Sequence, residues 1–379
     1  MSIHKYQTKK GVFYLVKYRK PDGSSTSKRG FERKTDAKYW EAVELPKVLN
    51  TRAMDNTTTA SVSPKIYTLA WLVSEFLSYR TTSSQDSTEY DRISTIQNNI
   101  YPAIPGTTPI HELTGLKIVE WQKWLNDKKK PDGTKLSHKY KSKIFVLFKS
   151  IIKFASDFYG LKENPFRNIR GFKNMDPHVE MSFLDLDEWK SFYSVIDDVF
   201  YQNAFSMLYL TGIRRGEMQA LKVGKYDRER KEITIDHTWG NRPVQYKDGE
   251  RYRSPKTPNS IRTIKLFSSH AKQFEAFLDL LINEYGFTDD SFIFGAETPI
   301  SATSLERMKN LYIEKAKLKK IRIHDFRHSH VSLLIHYDMN IVYISRRLGH
   351  KNIEMTWNKY SHFFPAEEQR MLAEAKIDL

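Results

Sequence analysis

Apolar and polar positions in the first 45 residues predict a small sheet followed by a helix. Residues 12–18 read Val-Phe-Tyr-Leu-Val-Lys-Tyr, a β-branched and aromatic run that is typical of a strand. A Pro-Asp-Gly turn signal follows at residues 21–23, and the polar residues 24–29 would form the returning strand. Apolar residues at helical spacing come next. We therefore expect a small α+β module, a three-stranded sheet plus one helix, over residues 1–54.

A linker and a helical domain are expected next. Residues 55–65 are rich in threonine and serine and have few large apolar side chains, which predicts a linker. Beyond them, apolar residues recur at the 3.6-residue period of helices that bury one face. The predicted helices begin, in order, at Thr68, Ser87, Leu116 and Ser137. This pattern predicts an all-α four-helix domain over residues 66–173.

Residues 178–379 predict a mainly α domain with a small antiparallel sheet. The expected elements are helices over residues 186–199 and 202–210, a strand at 232–235, a hairpin tip near 247–249, a returning strand at 262–266 and a helix over 268–285. The tail, residues 365–379, has a helical pattern with apolar residues on one side, and we expect it to dock on its own or a neighbouring subunit. The chain is therefore expected to be multidomain.

Charge adds a partner to this picture. The chain of 379 residues has 61 lysines and arginines against 45 acids, a net charge of +16, and its first 40 residues hold 11 basic residues against 3 acids. Such an excess favours nucleic acid as the partner over a protein that happens to be basic. The residues expected to bind DNA are Lys9, Lys10, Lys17, Arg19 and Lys20 in the first module, and Lys139, Lys141 and Lys143 on the outside of the fourth helix. Their alternative role is an ordinary solvated surface.

The remaining composition excludes several classes of protein. The chain has no cysteine, so a disulfide framework, a thiolate zinc site and a cysteine nucleophile are all impossible. The N-terminus has no apolar run of a secretory signal, and no stretch approaches the ~20 apolar residues of a membrane span. We expect a soluble cytoplasmic protein with no membrane partner.

Five short motifs in the second half of the chain suggest one chemistry. In order they are Thr-Gly-Ile-Arg-Arg-Gly-Glu at 211–217, Pro-Lys-Thr at 255–257, His-Asp-Phe-Arg-His at 324–328, Leu-Gly-His-Lys-Asn at 348–352 and Thr-Trp-Asn-Lys-Tyr at 356–360. Together they offer arginines, histidines, a lysine and a tyrosine. These groups suffice to break a phosphodiester with a protein hydroxyl and without a metal.

The arginines suit the phosphate. Its non-bridging oxygens gain charge in the transition state, and the planar guanidinium binds two oxygens while staying ionised. We expect Arg214 and Arg327 to do this, with Glu217 holding or orienting Arg214. Taken alone, either arginine would be read as a surface charge. Arg215 is left as a structural or DNA-backbone residue.

The nucleophile and the acid come from two other motifs. A side chain must attack if the bond energy is to be kept for rejoining, and Tyr360 is the candidate. A free tyrosine has a pKa of about 10, so nearby cations should help it. Lys256 can protonate the leaving 5′ oxygen. Alone, Tyr360 would be read as a packing residue and Lys256 as an exposed hairpin lysine.

The histidines complete the set. His324 and His350 can donate hydrogen bonds to the phosphate or accept the tyrosine proton. A metal site formed by His324, His328 and His330 is the rival interpretation. Their spacings match no zinc site, and no carboxylate beyond Asp325 completes one. We therefore expect no metal and no cofactor.

The ordered motifs resemble those of the tyrosine recombinase family, also called phage integrases. The family pattern is Arg, Lys, His-x-x-Arg, a later His or Trp, then Tyr, and Arg214, Lys256, His324, Arg327, His350 and Tyr360 each fall on it. The resemblance covers residues 183–364. Residues 66–173 resemble the family's core-binding domain. The N-terminal module is similar to the arm-binding domain of integrases from mobile elements of low-GC Gram-positive bacteria, on the motifs at 9–11, 21–23 and 29–34.

This resemblance implies a mechanism and partners. Tyr360 would attack the scissile phosphate, form a 3′-phosphotyrosyl link and release a 5′ hydroxyl, and two rounds of exchange would pass through a Holliday junction in a homotetramer. The partners would be double-stranded DNA at core and arm attachment sites, together with an excisionase and a DNA-bending protein of the bacterial host. Arm binding indicates an enzyme that integrates and excises a mobile element.

Three other functions remain open. A type IB-like topoisomerase makes the same covalent link but relaxes supercoils, and a chromosome-dimer resolving recombinase exchanges strands without arm sites. A DNA-binding regulator that kept an inactive catalytic fold is the non-enzymatic alternative. The presence of all six side chains disfavours the regulator.

Overall fold

A computed structural model describes the chain in two compact units, residues 1–178 and 179–379. The described residues are 2–8, 11–20, 23–45, 48, 67–81, 86–161, 163–173, 175–176, 181–240, 251–255, 260–350 and 352–360. Several predictions fall outside them: the DNA-contact roles of Lys9 and Lys10, the hairpin tip at 247–249, the position of Lys256 and the tail helix at 365–379. Among the helices of the described residues, none has the length and apolar character needed to cross a bilayer.

The predicted N-terminal sheet is present and has three antiparallel strands. Its order is β1 (Ser2–Thr8), β2 (Gly11–Arg19) and β3 (Ser25–Phe31), and it is followed by the helix α1 (Lys34–Tyr39) and a π-helical turn (Trp40–Glu44). Val16 is fully buried, whereas Lys17 and Arg19 of the same strand are exposed. Trp40 packs its ring 5.6 Å from that of Tyr18. One face of the sheet is therefore buried, and β2 presents exposed basic side chains.

Four helices follow within the first unit. They are α2 (Leu69–Thr81), α3 (Asp86–Asn99), α4 (Gly115–Asp127) and α5 (His138–Phe158). The cap expected at Thr68 is confirmed, because its hydroxyl accepts from the amide of Trp71 at 3.2 Å, and the helix start expected at Ser137 is confirmed by the same kind of contact with the amide of Tyr140 at 3.2 Å. Ser87 was expected to begin the second helix but lies inside α3, which starts at Asp86. Trp121 lies at the centre of the apolar core and donates its indole N–H to the Asn99 carbonyl at 2.8 Å.

The expected outward position of Lys141 is wrong. Its side chain is 2% exposed, and its Nζ donates to the side-chain oxygen of Asn126 at 2.9 Å and to the backbone carbonyl of the same residue at 3.1 Å. Lys141 stands three residues before Ile144, so it lies on the apolar face of α5. Lys139 and Lys143 are exposed. The ammonium of Lys141 is therefore committed to the interior of this unit.

The second unit opens with two helices, as expected, but the first helix ends earlier and the second begins earlier than predicted. The helices are α6 (Leu186–Ser194) and α7 (Val199–Thr211). The predicted continuation to residue 199 is wrong, because Asp198 caps a new helix by accepting from the Phe200 amide at 2.8 Å. Trp189 and Tyr209 stack with ring centroids 4.1 Å apart and join the two helices in one core.

The small sheets and remaining helices complete this unit. The strands β4 (Tyr226–Asp227), β5 (Glu232–Ile235) and β8 (Arg262–Lys265) form one antiparallel sheet, and β6 (Thr238–Trp239) pairs with β7 (Tyr252–Arg253). The helices are α8 (Arg215–Gln219), α9 (Ser268–Tyr285), α10 (Ala302–Lys315), α11 (Asp325–His336), α12 (Ile341–Leu348) and α13 (Ile353–Tyr360). The predicted mainly α domain with a small antiparallel sheet is therefore confirmed.

Candidate active site

Arg214 lies at a sharp turn between two helices. The preceding helix α7 ends at Gly212, whose φ of +66° is the left-handed conformation that favours glycine. A Cβ at this position would lie 2.5 Å from a ring carbon of His330, so a larger residue is excluded on two grounds. Arg214 follows as the residue before α8, and its side chain is 41% exposed. The turn therefore presents a partly open guanidinium.

Glu217 holds two arginines. Its carboxylate accepts from Arg214 Nη1 at 2.7 Å, which is the expected pairing, and from Arg262 Nη2 at 2.8 Å. Burial alone would raise the pKa of Glu217, but the charge and hydrogen bonds of Arg262, followed by those of Arg214, lower it to about 2. Glu217 is thus a permanent anion at neutral pH, and the position of Arg214 is fixed by it.

Arg262 was missed by the sequence analysis. It begins β8, is 7% exposed at its side chain, and donates from Nε to the Arg347 carbonyl at 2.9 Å. A signal was available, because Arg262 and the fully buried Ile264 share one face of a strand. A charged residue on an inward face requires an opposite charge. Glu217 supplies it.

Arg327, the second arginine predicted to bind the phosphate, is buried. It lies in α11, is 3% exposed, and donates to the Gly212 carbonyl at 2.8 Å and to the Leu348 carbonyl at 2.7 Å. Burial, with help from the charge of Arg214, lowers the pKa of Arg327 to about 9, so it remains a cation at neutral pH. The two carbonyls use only part of its donor capacity. Arg327 therefore ties the ends of α7 and α12 to α11.

Tyr360 is buried against His328. The phenol oxygen lies 2.7 Å from Nδ1 of His328, and Tyr360 is 1% exposed. Burial raises the pKa of Tyr360 to about 12, although the charge of Arg327 acts in the opposite direction. Arg327 is therefore close enough to act on the phenol electrostatically. From the sequence, His328 was a candidate only as a metal ligand, and its contact with Tyr360 was not expected.

Asp325 lies on the other side of His328. One carboxylate oxygen is 3.9 Å from His328 Nε2, and the same carboxylate accepts from Arg322 NH2 at 2.8 Å. Burial alone would raise the pKa of Asp325, but the hydrogen bonds and charge of Arg322 lower it. An ionised carboxylate, an imidazole and a phenol thus follow one another along the start of α11 and the end of α13.

The two predicted catalytic histidines have different surroundings. His324 is exposed at the start of α11, with its ring centroid 5.1 Å from that of His328. His350 is partly exposed, and its Nδ1 lies 2.7 Å from the hydroxyl of the buried Thr356. His350 follows Gly349, which ends α12 in the left-handed conformation. The turn after α12 and the helix α13 therefore orient His350 together.

His330 and Arg347 form a buried layer behind these groups. Arg347 donates from Nε to His330 Nε2 at 3.1 Å, and His330 Nδ1 lies 2.8 Å from the Tyr209 carbonyl. Since Nε2 accepts, Nδ1 carries the proton and the ring is neutral. Burial and then the charge of Arg347 hold the pKa of His330 well below its usual range. His330 is thus a structural residue, and no group of three metal-ligating side chains occurs among the described residues.

Arg327 thus lies within electrostatic reach of both Arg214 and Tyr360. His324 lies at the start of α11 and His350 on the turn after α12. Lys256 lies outside the described residues. Residues 182–367 match the family described as "Phage integrase family". The ICEBs1 integrase of Bacillus subtilis (strain 168) is 31% identical over 271 residues, which cover 69% of this chain and 70% of that protein.

The chain belongs to the phage integrase family of tyrosine recombinases. It is a site-specific DNA recombinase of the integrase type, an enzyme of mobile elements that cleaves and rejoins DNA.

Solved integrase structures share this fold. The Tn1549 transposon integrase in complex with a circular intermediate DNA is 20% identical, with a TM-score of 0.64 over 81% of this chain and 99% of that one. A lambda integrase tetramer bound to a Holliday junction is 15% identical, with a TM-score of 0.55 over 92% of this chain and 95% of that one. The second unit therefore has the tyrosine recombinase catalytic fold.

Proposed function

We propose that Tyr360 is the nucleophile of this integrase. Its phenol oxygen attacks the scissile phosphate, so that a 3′-phosphotyrosyl bond forms and the 5′ hydroxyl leaves. The observation that carries this assignment is the burial of Tyr360 beside His328 within the electrostatic reach of Arg327. A phosphodiester bond held as a tyrosine ester keeps its energy for rejoining, so no cofactor is required.

Arg214 and Arg327 bind the phosphate in this proposal. Arg214 is 41% exposed and held by Glu217, so it can offer its remaining donors to a non-bridging oxygen. Arg327 is anchored by two carbonyls and keeps further N–H donors for the other oxygen. Preorganised donors of this kind contribute about 10²–10³ in rate each.

The remaining roles complete the exchange. His324 and His350 donate hydrogen bonds to the phosphate, and Lys256 protonates the leaving 5′ oxygen. His350 is supported by its fixed contact with Thr356, whose oxygen lies 2.7 Å away, and His324 by its exposed position at the start of α11.

The assembly and the other domains are also proposed. The enzyme acts as a homotetramer on double-stranded DNA, as the lambda integrase tetramer on its Holliday junction suggests. The helices α2 to α5 form the core-binding domain, with Lys139 and Lys143 at its exposed edge, and residues 1–54 bind arm sites through Lys17, Arg19 and Lys20. An excisionase and a DNA-bending host protein assist in the cytoplasm of the bacterial host.

A suicide substrate tests the nucleophile. The probe is a nicked duplex that spans the direct repeat at the end of the element carrying this gene. The wild-type chain should form a complex that survives denaturing electrophoresis, whereas Tyr360→Phe should bind the duplex with unchanged affinity and form none. A Tyr360→Phe protein that still gives the covalent band would reject the assignment.

Deleting residues 1–60 tests the proposed arm-binding module. The logarithm of affinity for arm-site DNA should fall with the logarithm of salt concentration by about 0.9 per neutralised phosphate, and the deletion should flatten that slope. Cleavage of a short core-site duplex should persist. An unchanged slope would remove the module from the DNA interface.

A further inference from the structure

The reacting oxygen of the nucleophile has a histidine partner that the motif pattern did not assign. Tyr360 Oη lies 2.7 Å from Nδ1 of His328, and both residues are nearly fully buried, at 1% and 2% exposed. His324 is exposed, and Nδ1 of His350 lies 2.7 Å from the hydroxyl of Thr356. Of these three histidines, His328 is the one whose ring nitrogen is within hydrogen-bond distance of the phenol oxygen.

The surroundings of His328 determine which of its nitrogens can accept a proton. Asp325 lies 3.9 Å from Nε2, and the hydrogen bonds from Arg322 keep this carboxylate ionised. A carboxylate beside Nε2 favours the tautomer with the proton on Nε2. Nδ1 is then an acceptor, and the Tyr360 hydroxyl donates to it.

We propose that His328 is the general base that takes the proton from Tyr360 during strand cleavage and returns it during rejoining. This role rests on the proposed assignment of Tyr360 as nucleophile. As the bond from Oη to phosphorus forms and the bond from phosphorus to O5′ breaks, the phenol proton passes to Nδ1 of His328. The departing O5′ takes its own proton from a separate acid, for which Lys256 is the candidate.

The charge distribution around the pair supports this proton transfer. Burial raises the pKa of Tyr360 to about 12, so phenolate is scarce at neutral pH and the attack needs a base. The imidazolium that results lies beside the Asp325 carboxylate, which stabilises it. Arg327 is close enough to Tyr360 to stabilise negative charge that develops on the phenol oxygen.

Among the described residues, ionisable side chains approach His328 from two helices. Tyr360 faces it from α13, and His324 and Asp325 face it from its own turn, with Arg322 behind Asp325. Arg347 of α12 also reaches α11, where it contacts His330.

The variant His328→Asn separates basicity from shape, because the amide can occupy the place of Nδ1 and still bond to the phenol but cannot take its proton. We expect single-turnover formation of the covalent complex on the nicked duplex to slow by about 10²-fold. The wild-type cleavage rate should fall at low pH as His328 becomes protonated, and this pH dependence should be absent from the variant. DNA affinity and Tm should stay the same. Rejoining of a preformed complex should slow by the same factor, because one group serves both directions.

Two further variants sharpen the test. His336→Asn makes the same substitution at an exposed histidine of the same helix and should keep the wild-type rate and pH profile. His328→Ala leaves a space for the missing ring, and added imidazole should restore its cleavage rate even if the asparagine variant folds poorly.

The outcomes separate this inference from the assignment beneath it. A covalent bond at a residue other than Tyr360 would overturn both. A bond at Tyr360, with an unchanged rate and pH transition in His328→Asn and no effect of imidazole on His328→Ala, would overturn the base alone. Slowed cleavage with unaltered rejoining would also overturn it. A base that serves both directions would slow both, whereas a displaced Tyr360 would slow cleavage alone.

Discussion

The candidate active site has two halves that are held by different forces. In the arginine half, formed by Arg214, Glu217 and Arg262, opposite charges pair directly, and the pKa of Glu217 falls to about 2. In the tyrosine half, formed by Asp325, His328 and Tyr360, a neutral phenol is buried against an imidazole, and the pKa of Tyr360 rises to about 12.

The difference separates binding from chemistry. The arginine half carries its full charge before any phosphate arrives, so binding requires no change of protonation. The tyrosine half holds Tyr360, the proposed nucleophile, in the unreactive, protonated form. In the proposed mechanism, strand cleavage therefore depends on proton removal at one end of the site and on fixed charge at the other.

The largest effect is expected from Arg327→Lys, which removes the guanidinium that acts on Tyr360. Lysine keeps the positive charge but cannot donate to the Gly212 and Leu348 carbonyls and to a phosphate in the same fork. Single-turnover cleavage should fall by about 10²–10³-fold while DNA affinity changes little. Arg346→Lys, an exposed change on α12, is the matched control and should cleave normally. Equal rates in the two variants would contradict the role of Arg327.

Glu217→Gln should loosen the arginine half and leave the tyrosine half in place. Without the carboxylate charge, the guanidinium groups of Arg262 and Arg214 repel each other and lose their anionic partner. We expect a loss of about 3 kcal/mol in the free energy of unfolding, measured by urea titration. Glu229→Gln, at an exposed position, should cost almost nothing.

The same carboxylate predicts a pH dependence. Because folding lowers the pKa of Glu217 from 4.5 to about 2, the carboxylate stabilises the fold above pH 4.5, and this contribution is lost as the pH falls toward 2. The wild-type free energy of unfolding should therefore decline over this range more steeply than that of Glu217→Gln. Parallel curves would show that Glu217 is not the group responsible.

Thr356→Val should give the smallest effect, because it touches only the orientation of His350. Valine fills the same volume and removes the hydroxyl that lies 2.7 Å from His350 Nδ1. Losing one neutral hydrogen bond costs about 1 kcal/mol, which corresponds to cleavage about fivefold slower. Unchanged cleavage in this variant would mean that α13 orients His350 by other contacts.

Much of this organisation was predictable from local patterns. The helix caps at Thr68 and Ser137, the three-stranded sheet and the mainly α catalytic domain all follow from turn residues and apolar spacing. The break between α6 and α7 was expected at residues 200–201 but lies at residues 195–198, where Asp198, a common capping residue, starts the second helix. The boundaries between three domains stay a prediction.

Two other errors have a physical origin in long-range pairing. Lys141 was assigned to the surface by its charge, although its spacing from Ile144 and Phe145 placed it on the apolar face. The partner of Lys141, Asn126, is in another helix, and a single helix pattern cannot reveal it. The contact between His328 and Tyr360 likewise spans 32 residues, so only the folded chain brings the two together.

The position of the covalent bond between protein and DNA decides whether Tyr360 is the nucleophile. The wild-type protein is trapped on the nicked duplex, digested with protease and nuclease, and the modified peptide is sequenced by mass spectrometry. We expect a nucleotide 3′-phosphate on Tyr360 and a free 5′ hydroxyl on the released strand. A phosphate on any other side chain, or a bond to the 5′ end of the DNA, would contradict it.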